Sequence, residues 1–204
     1  MSADLVVVVA DGGIEQAIRG ILDRPAALGI RPLIGLEFPK FKPLDGGAFA
    51  KGHEIAALYR DTHTHALVVF DLAFDRPAGT SAQKLEADLD ARLSEVWGPR
   101  ARCIVIEPEL EAWVWSDSPH VATELGWDSL ANLRRFLEGH GLWTPGTAKP
   151  ADPKEAYLRA IRAKRIQQSN ATFRQLAGRV SVSRCQDRAF NRLVQTLREW
   201  FPAA

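Results

Sequence analysis

Three short apolar segments, each closing on a carboxylate, constrain the fold of this chain more than any other feature. They occupy residues 5–10 before Asp11, 65–71 with Asp71 at the end, and 103–107 with Glu107 at the end. None of them alternates apolar with polar residues, and such runs are typical of strands that helices cover on both faces. The sequence therefore predicts an α/β fold built on a mostly parallel sheet of about four strands.

The segments between these runs have helical periodicity. A weaker second strand is predicted at 32–36, and residues 37–47, with two prolines and two glycines, are predicted to form a loop. Beyond residue 108 the strand signals fade and helical patterns dominate, as expected for a helical C-terminal extension. The predicted helices cover 14–22, 48–60, 85–97, 110–115, 127–138, 153–163, 171–177 and 189–201.

Charge divides the chain at its best linker candidate, the segment 144–150. Residues 151–204 contain 11 lysines and arginines against 4 acids, whereas residues 1–150 contain 15 against 21. A chain of 204 residues can be served by one hydrophobic core. We therefore predict an α/β core over 1–145 and a basic helical extension over 146–204 that packs on it.

The sequence gives no signal for export or for a membrane. Its longest apolar stretch near the start is bounded by Asp4 and Asp11, far short of a membrane span, and lacks the basic segment of a signal peptide. Cys103 and Cys185 are too few and too distant for a disulfide framework or a zinc motif. These features predict a cytoplasmic protein with two reduced cysteines.

Acidic residues follow three of the predicted strands. Because the carboxyl ends of parallel strands meet at one edge of a sheet, ligands bind there, and hard cations such as Mg²⁺ prefer carboxylate oxygens. These acids therefore predict a metal site suited to phosphoryl chemistry, although acids at such positions also cap helices. The candidates are Asp11, Glu15, Asp71, Asp75, Glu107, Glu109 and Glu111.

The order of these acids resembles that of the Toprim domain found in topoisomerases, primases and overcoming-lysogenization-defect nucleases. The segment 106–113, Ile-Glu-Pro-Glu-Leu-Glu-Ala-Trp, resembles the signature of a Toprim-like family known as domain of unknown function 4276, which often occurs among bacterial anti-phage genes. Further agreement lies at 152–156 and at 183–190. The resemblance spans nearly the whole chain and implies a Toprim-like, Rossmann-like core.

The resemblance also implies roles for individual residues. Glu15 matches the Toprim glutamate, a general acid or base, and Asp71 the first metal-binding aspartate. Toprim domains usually carry Asp-x-Asp at this point, but here Ala73 occupies the third position and the next aspartate is Asp75. The implied catalytic residues are Glu15, Asp71 and Glu111, and the implied ligands of Mg²⁺ or Mn²⁺ are Glu15, Asp71, Asp75, Glu109 and Glu111.

Two functions from different classes follow from the resemblance. One is a metal-dependent nuclease acting on DNA or RNA in an anti-phage system. The other is a non-catalytic Toprim-like subunit that binds nucleic acid or a second defence protein such as an ATPase. A nucleotide hydrolase or transferase at the same sheet edge is a third candidate, and the sequence leaves the oligomeric state open, a homo-oligomer included.

The basic tail supplies candidate contacts for nucleic acid. Arginine pairs well with phosphate, so cations beside an acidic metal site can hold a nucleic-acid backbone. The alternative is that these residues neutralise the acidic body within the same fold. The predicted contacts are Lys154, Arg162, Lys164, Arg165 and Arg184.

One pair of histidines and one pair of tryptophans lead to predictions about burial. His63 and His65 alternate at a strand start but lack a third ligand nearby, so they are predicted to lie on the surface. Of Trp113 and Trp115, at least one is predicted to pack in the core.

Overall fold

A computed structural model describes residues 2–182 and 185–203 and shows a four-stranded, all-parallel sheet. The strands lie in the order β2-β1-β3-β4. The chain therefore places β2 on one side of β1 and then crosses back to place β3 and β4 on the other side. This confirms the predicted α/β class. The strands are β1 (Ala3–Val9), β2 (Leu36–Glu37), β3 (His63–Asp71) and β4 (Ala101–Ile106).

Helices connect the strands and form the C-terminal part of the described chain. They are α1 (Gly12–Leu22), α2 (Pro25–Leu28), α3 (Leu44–Ala57), α4 (Ala82–Trp97), α5 (Pro119–Glu124), α6 (Leu130–Gly139), α7 (Pro153–Ala163), α8 (Asn170–Arg179) and α9 (Arg188–Trp200). Short 3-10 helices occupy Gly98–Arg100 and Leu110–Trp113.

Helices cover both faces of the sheet, which explains why its strands are apolar throughout. The β1-to-β2 and β2-to-β3 connections run in opposite directions, and right-handed crossovers then place α1 on one face and α3 and α4 on the other. In agreement, α3 contacts both α4 and β3, whereas α1 packs along α8. The side chains of residues 5–10 and 66–70 are buried.

The strand register aligns the carboxyl ends of the three long strands. Val9 lies opposite Val69, and Asp71 lies opposite Ile106. The residues that follow β1, β3 and β4 therefore leave the sheet at the same edge, as the sequence predicted.

The second strand is much shorter than predicted, because only Leu36–Glu37 pairs with β1. Gly35 has a φ of 80° and approaches Ala3 so closely that a Cβ on the glycine would lie 2.6 Å from the Ala3 Cβ. The Ile34 N–H donates to the Asp4 carboxylate at 2.5 Å. Residues 34 and 35 of the predicted strand thus form a tight turn before β2, in which the Asp4 side chain accepts from the Ile34 N–H and the Asp4 N–H donates to the Ile34 oxygen.

Several helix boundaries also differ from prediction. The helix predicted at 48–60 begins earlier, at Leu44, and the one predicted at 127–138 begins at Leu130, where the Ser129 side chain caps it. The stretch 110–115 is a single 3-10 turn rather than a longer helix. The short helix α5 was not predicted, whereas α7 has the predicted bounds.

The C-terminal helices share the core of the sheet. A Cβ on Gly20 of α1 would lie 2.5 Å from the backbone oxygen of Arg174 in α8, so the two helices are in backbone contact. Leu193 and Leu197 of α9 are fully buried, and α9 contacts β4. Within residues 2–182 and 185–203, no helix is long and apolar enough to cross a membrane.

The two histidines at the start of β3 are not surface residues, contrary to prediction. His63 is buried against Tyr59, and the half-buried His65 ring lies 4.7 Å from the Trp200 ring and 4.9 Å from Phe201. The C-terminal end of α9 covers this part of the strand. Burial lowers the pKa of both imidazoles.

Candidate metal centre

Three carboxylates converge at the carboxyl edge of the sheet. Asp71 is the last residue of β3, and Glu109 and Glu111 lie in the turn after β4. One carboxylate oxygen of each residue lies within 4.8 Å of the others. These three residues are called the acid triad below. Carboxylates from two adjacent strands are brought together here because the strands are parallel and in register.

Asp71 is the most constrained member of the acid triad. Its side chain is buried, and its Oδ1 atom has no hydrogen-bond partner among the residues that the structure describes. The Asp71 backbone N–H donates to Asp45 Oδ1 at 2.8 Å, so a fourth carboxylate lies beside the strand end. A buried carboxylate oxygen without a donor is energetically costly, and a cation is one partner that would satisfy it.

The electrostatics of the site disfavour negative charge when no cation is bound. Burial raises the pKa of the Asp71 carboxyl well above its usual range and outweighs a hydrogen bond from the Leu110 backbone that lowers it. The neighbouring Asp45, Asp11 and Glu111 raise it further. Burial also raises the pKa of Glu111 and of Asp45. Clustered acids with raised pKa values are a feature of functional sites, because folding alone gains nothing from them.

Glu109 connects the acid triad to the tail. Its carboxylate accepts a hydrogen bond from the Lys154 ammonium in the first turn of α7, and this contact raises the pKa of Lys154. The Glu109 side chain is 18% exposed and that of Lys154 is 48% exposed, so the site opens to solvent on this side. The sequence placed Lys154 among the nucleic-acid contacts and did not predict its ion pair.

The acid triad has the chemistry of a site for a hard divalent cation. It offers three carboxylate oxygens, one buried and unsatisfied, and an opening through which water or a substrate oxygen can complete the coordination. Mg²⁺ and Mn²⁺ both accept such ligands and keep bound waters. The residues therefore fit a metal ion, and the donor set does not distinguish between these cations.

Glu15 does not belong to this group of acids. It lies in the first turn of α1, where its carboxylate pairs with Arg19 at 2.8 Å and with Lys42 at 2.9 Å. Burial alone would raise the pKa of Glu15, but the hydrogen bonds from Lys42 and Arg19 outweigh it and lower the pKa. The prediction that Glu15 and Asp71 share a cation is not supported, because two cationic side chains already bind the Glu15 carboxylate.

The other predicted acids are also separate from the triad. Asp75 is exposed in the loop after β3, and Glu107 is exposed at the end of β4. The Asp11 carboxylate accepts a hydrogen bond from the Ile14 N–H at 2.9 Å and caps α1, so the capping alternative holds for this residue. Of the five predicted metal ligands, the structure brings together Asp71, Glu109 and Glu111.

The predicted nucleic-acid contacts have different surroundings. Arg162 and Arg165 are exposed, and Lys164 lies over the Trp127 ring at 4.4 Å. Lys154 is at the acid triad, and Arg184 lies outside the described residues. The exposed side chains of Arg162 and Arg165 could therefore contact a ligand directly, whereas Lys154 and Lys164 already contact other side chains.

Tryptophans support the turn that carries Glu109 and Glu111. Trp115 is buried and donates from Nε1 to the Pro153 oxygen at 3.0 Å, which fixes the start of α7 against the turn. Trp113 is half-buried and donates from Nε1 to Asp187 Oδ1 at 2.9 Å. The packing prediction for this pair is confirmed by Trp115.

Sequence reasoning missed Asp45. It lies in the first turn of α3, in a segment predicted to be loop, and its backbone does not follow a strand. The rule that linked acids to strand ends therefore could not identify it.

Comparison of the chain with models of protein families, with curated proteins and with solved structures found no match.

Proposed function

We propose that this chain is a Toprim-like protein of a bacterial anti-phage system that processes phosphodiesters in nucleic acid, using Mg²⁺ or Mn²⁺ held by the acid triad. The unsatisfied Asp71 oxygen beside Glu109 and Glu111 carries the proposal. The resemblance of the segment 106–113 to a Toprim-like signature supports it, since two triad members lie in that segment.

Each member of the triad has a distinct part in this proposal. A divalent cation, when bound, polarises a phosphate oxygen and lowers the pKa of a bound water. Asp71 and Glu111 are the buried ligands that hold charge at the sheet edge. Glu109 would be the ligand nearest to solvent, and Lys154, which pairs with Glu109 in this structure, would bind a non-bridging phosphate oxygen.

Glu15 is poorly suited to the proton-transfer role that the resemblance implies for it. Its lowered pKa and its ion pairs with Arg19 and Lys42 keep the carboxylate anionic and make it a poor base. We propose instead that Glu15 orients Lys42 and Arg19 near the N-terminus of α1. Glu15→Gln is then expected to lower activity by less than the roughly 10²-fold that loss of a general base causes.

Nicking of plasmid DNA and cleavage of RNA by the purified chain, with Mg²⁺ or Mn²⁺ and with EDTA, tests the proposed function. We expect cleavage only with metal, and a loss of about tenfold to a hundredfold or more in Asp71→Asn and Glu111→Gln. Asp61→Asn is the matched control, because Asp61 is exposed and precedes the opposite end of β3. Metal-independent cleavage, or equal loss in the control, would contradict the proposal.

A non-catalytic subunit is the second candidate function, and one observation favours it. Lys154 pairs with Glu109 on the open side of the acid triad and Lys42 pairs with Glu15, so one implied metal ligand and one implied catalytic residue are already neutralised by the chain itself. Calorimetric titration with Mn²⁺ separates the two candidates. Saturable binding that Asp71→Asn removes supports the metal site, whereas no binding at millimolar Mn²⁺ supports the non-catalytic subunit.

A further inference from the structure

The cations of the basic tail divide into two groups in the structure. Most are bound to acids or carbonyls of the same chain and so hold the fold together. Arg174 pairs with Asp23 at 2.8 Å, Arg179 with Glu124 at 2.5 Å and Arg192 with Asp90 at 2.6 Å. Arg188 and Arg198 make comparable contacts with Glu86 and with the Leu28 oxygen. For these residues, neutralisation of the acidic body is the role that the structure gives.

Three arginines of the tail are different. Arg159, Arg162 and Arg165 are exposed, and none has an ion pair or side-chain hydrogen bond to any residue within 2–182 or 185–203. They lie on or just beyond α7, whose opposite face buries Ala156, Tyr157, Ala160 and Ile161. Their charge is therefore not used by the fold.

Arg159 and Arg162 lie on the same side of α7 as Lys154, and Arg165 follows the end of the helix. At 100° per residue, Lys154, Arg159 and Arg162 fall within a 140° arc that the fully buried residues of α7 do not enter, and the half-buried Leu158 is the one apolar residue in it. Glu155 is the one acid in this arc. The arc with Arg165 at its end is called the α7 arginine face below. Because Lys154 contacts Glu109, this face begins at the acid triad and leads away from it.

We infer that the α7 arginine face binds the phosphate backbone of the nucleic acid whose scissile phosphate lies at the acid triad. Lys154 contacts the phosphate nearest to the triad, and Arg159 and Arg162 contact phosphates further along the same strand. Arginine suits this role because its planar fork binds phosphate oxygens in pairs. This inference rests on the proposed function, and it adds the surface and the direction of binding.

The dimensions agree with such a contact. Lys154 and Arg162 are eight residues apart in a helix, so their Cα atoms are separated by about 12 Å along the axis. Phosphates of one strand in a duplex follow one another every 3.4 Å or so along the helix axis. Because the strand also winds around that axis, its phosphates are further apart in space than this rise, and the face is long enough to contact more than one of them. It carries four cations against the single acid Glu155.

A nucleic acid explains the position of this face better than a membrane surface does. A membrane requires only a basic or amphipathic face, wherever it lies. The α7 arginine face starts at the acid triad, and a phosphodiester chain is the ligand that engages both features at once. An acidic lipid headgroup bound to Arg162 would leave the triad without a function.

Fluorescence anisotropy with a short labelled single-stranded DNA, a matching RNA and a duplex tests the inference. The full chain is titrated in EDTA, so that binding is measured without cleavage. We expect Arg159→Gln with Arg162→Gln to weaken binding about tenfold and to reduce the slope of log K against log salt by about 1.4–1.8. The double replacement of both arginines by lysine should restore the salt slope.

The matched control is the double variant Lys51→Gln with Lys84→Gln, which removes the same charge from exposed positions of α3 and α4. Binding that weakens equally in the control, or not at all in the arginine variant, overturns the inference. So does binding to vesicles of phosphatidylserine and phosphatidylcholine without binding to any oligonucleotide. Failure of cleavage with intact oligonucleotide binding would overturn the proposed nuclease and leave the binding surface, so the two failures are distinguishable.

Discussion

Glu86 and Arg188 are 102 residues apart in the sequence and meet at the free edge of β4, with Arg188 Nη1 2.7 Å from Glu86 Oε2. Both side chains also bind the strand itself. Glu86 Oε1 accepts from the Val105 N–H at 2.9 Å, and Arg188 Nη2 donates to the Val105 oxygen at 2.9 Å. The backbone N–H and oxygen of Val105 thus form their hydrogen bonds with this pair of side chains, because β4 is the last strand on that side of the sheet.

The same pattern repeats two residues earlier in β4. The Cys103 N–H donates to Asp90 Oδ1 at 2.6 Å, and Arg192 Nε donates to the Cys103 oxygen at 3.1 Å. Acids from α4 supply the acceptors, and arginines from α9 supply the donors. Unpaired strand edges promote association, so this arrangement protects the edge.

We predict that breaking one side of this arrangement destabilises the chain strongly. Glu86→Ala leaves the Val105 N–H and Arg188 without their acceptor and should lower the free energy of unfolding by about 3–5 kcal/mol. The double variant with Arg188→Ala should cost less than the sum of the two single variants, because the two residues act as a pair. Urea denaturation of the three variants measures this coupling.

The control for this cycle is Glu95→Ala, which removes an exposed acid from the same helix and should change stability by about 0.5 kcal/mol or less. Size-exclusion chromatography with light scattering tests the second consequence. Loss of the pair should increase association through the uncovered edge, and additive, monomeric variants would argue against the interpretation.

Asp71→Asn should stabilise the metal-free chain. The substitution replaces a buried carboxyl whose Oδ1 is unsatisfied, so thermal unfolding in EDTA should shift upward, by about 1–3 kcal/mol in the free energy of unfolding. Mn²⁺ should stabilise the natural sequence, by about 2.7 kcal/mol at 100 times the dissociation constant, and leave Asp71→Asn unchanged. Destabilisation in EDTA would indicate that Asp71 is a structural residue.

Replacement by alanine is expected to have opposite effects on stability at Gly52 and Gly178. A Cβ on Gly52 of α3 would lie 2.6 Å from the Val68 Cγ1 atom of β3, so Gly52→Ala should push the helix from the sheet and cost about 1–3 kcal/mol. Gly178 of α8 has nothing within 4 Å of that position, and Gly178→Ala should stabilise the chain by about 0.5–1 kcal/mol. Differential scanning calorimetry of both variants checks the signs.

The pair of Asp4 and Arg31 predicts a dependence of stability on pH. The Arg31 guanidinium binds both Asp4 oxygens, at 2.7 Å and 2.8 Å, and its hydrogen bonds lower the pKa of that carboxyl below 3.8. A lowered folded-state pKa gives stability that is complete above the unfolded-state pKa and is lost as the pH falls through the folded-state pKa.

Asp4→Asn should therefore cost about 1–2 kcal/mol at pH 7, and the difference from the natural sequence should shrink below a pH of about 4. Urea denaturation at several pH values measures it. A difference that stays constant down to pH 2 would show that packing, rather than ionisation, explains the effect.

Buried runs made the central strands predictable, and local backbone geometry limited the rest. The strands β1, β3 and β4 are apolar because helices cover them on both faces, which a single sequence reveals. The length of β2 depends on the turn at Gly35 and on the Asp4 carboxylate, which accepts a hydrogen bond from the Ile34 N–H 30 residues away. Such a long-range hydrogen bond leaves no periodic signal.

The site was partly predictable for a related reason. Strand ends indicate which edge of a sheet a residue joins, and this identified Asp71, Glu109 and Glu111. They do not indicate where a side chain points, so Glu15 and Asp75 could not be separated from the three acids that the structure brings together. Arg19, one helical turn after Glu15, was a visible sign of an ion pair, whereas Lys42 becomes its neighbour only through the fold.

The backbone contact between Gly20 and Arg174 has a consequence for the history of the chain. Gly20 of α1 leaves no room for a side chain against α8, and the edge of β4 takes hydrogen bonds from two arginines of α9. A recombination event that exchanged the tail would have to supply both a helix that fits against Gly20 and arginines that reach the edge of β4. We therefore expect the two parts to be inherited together, and relatives to diverge mainly by insertions in loops.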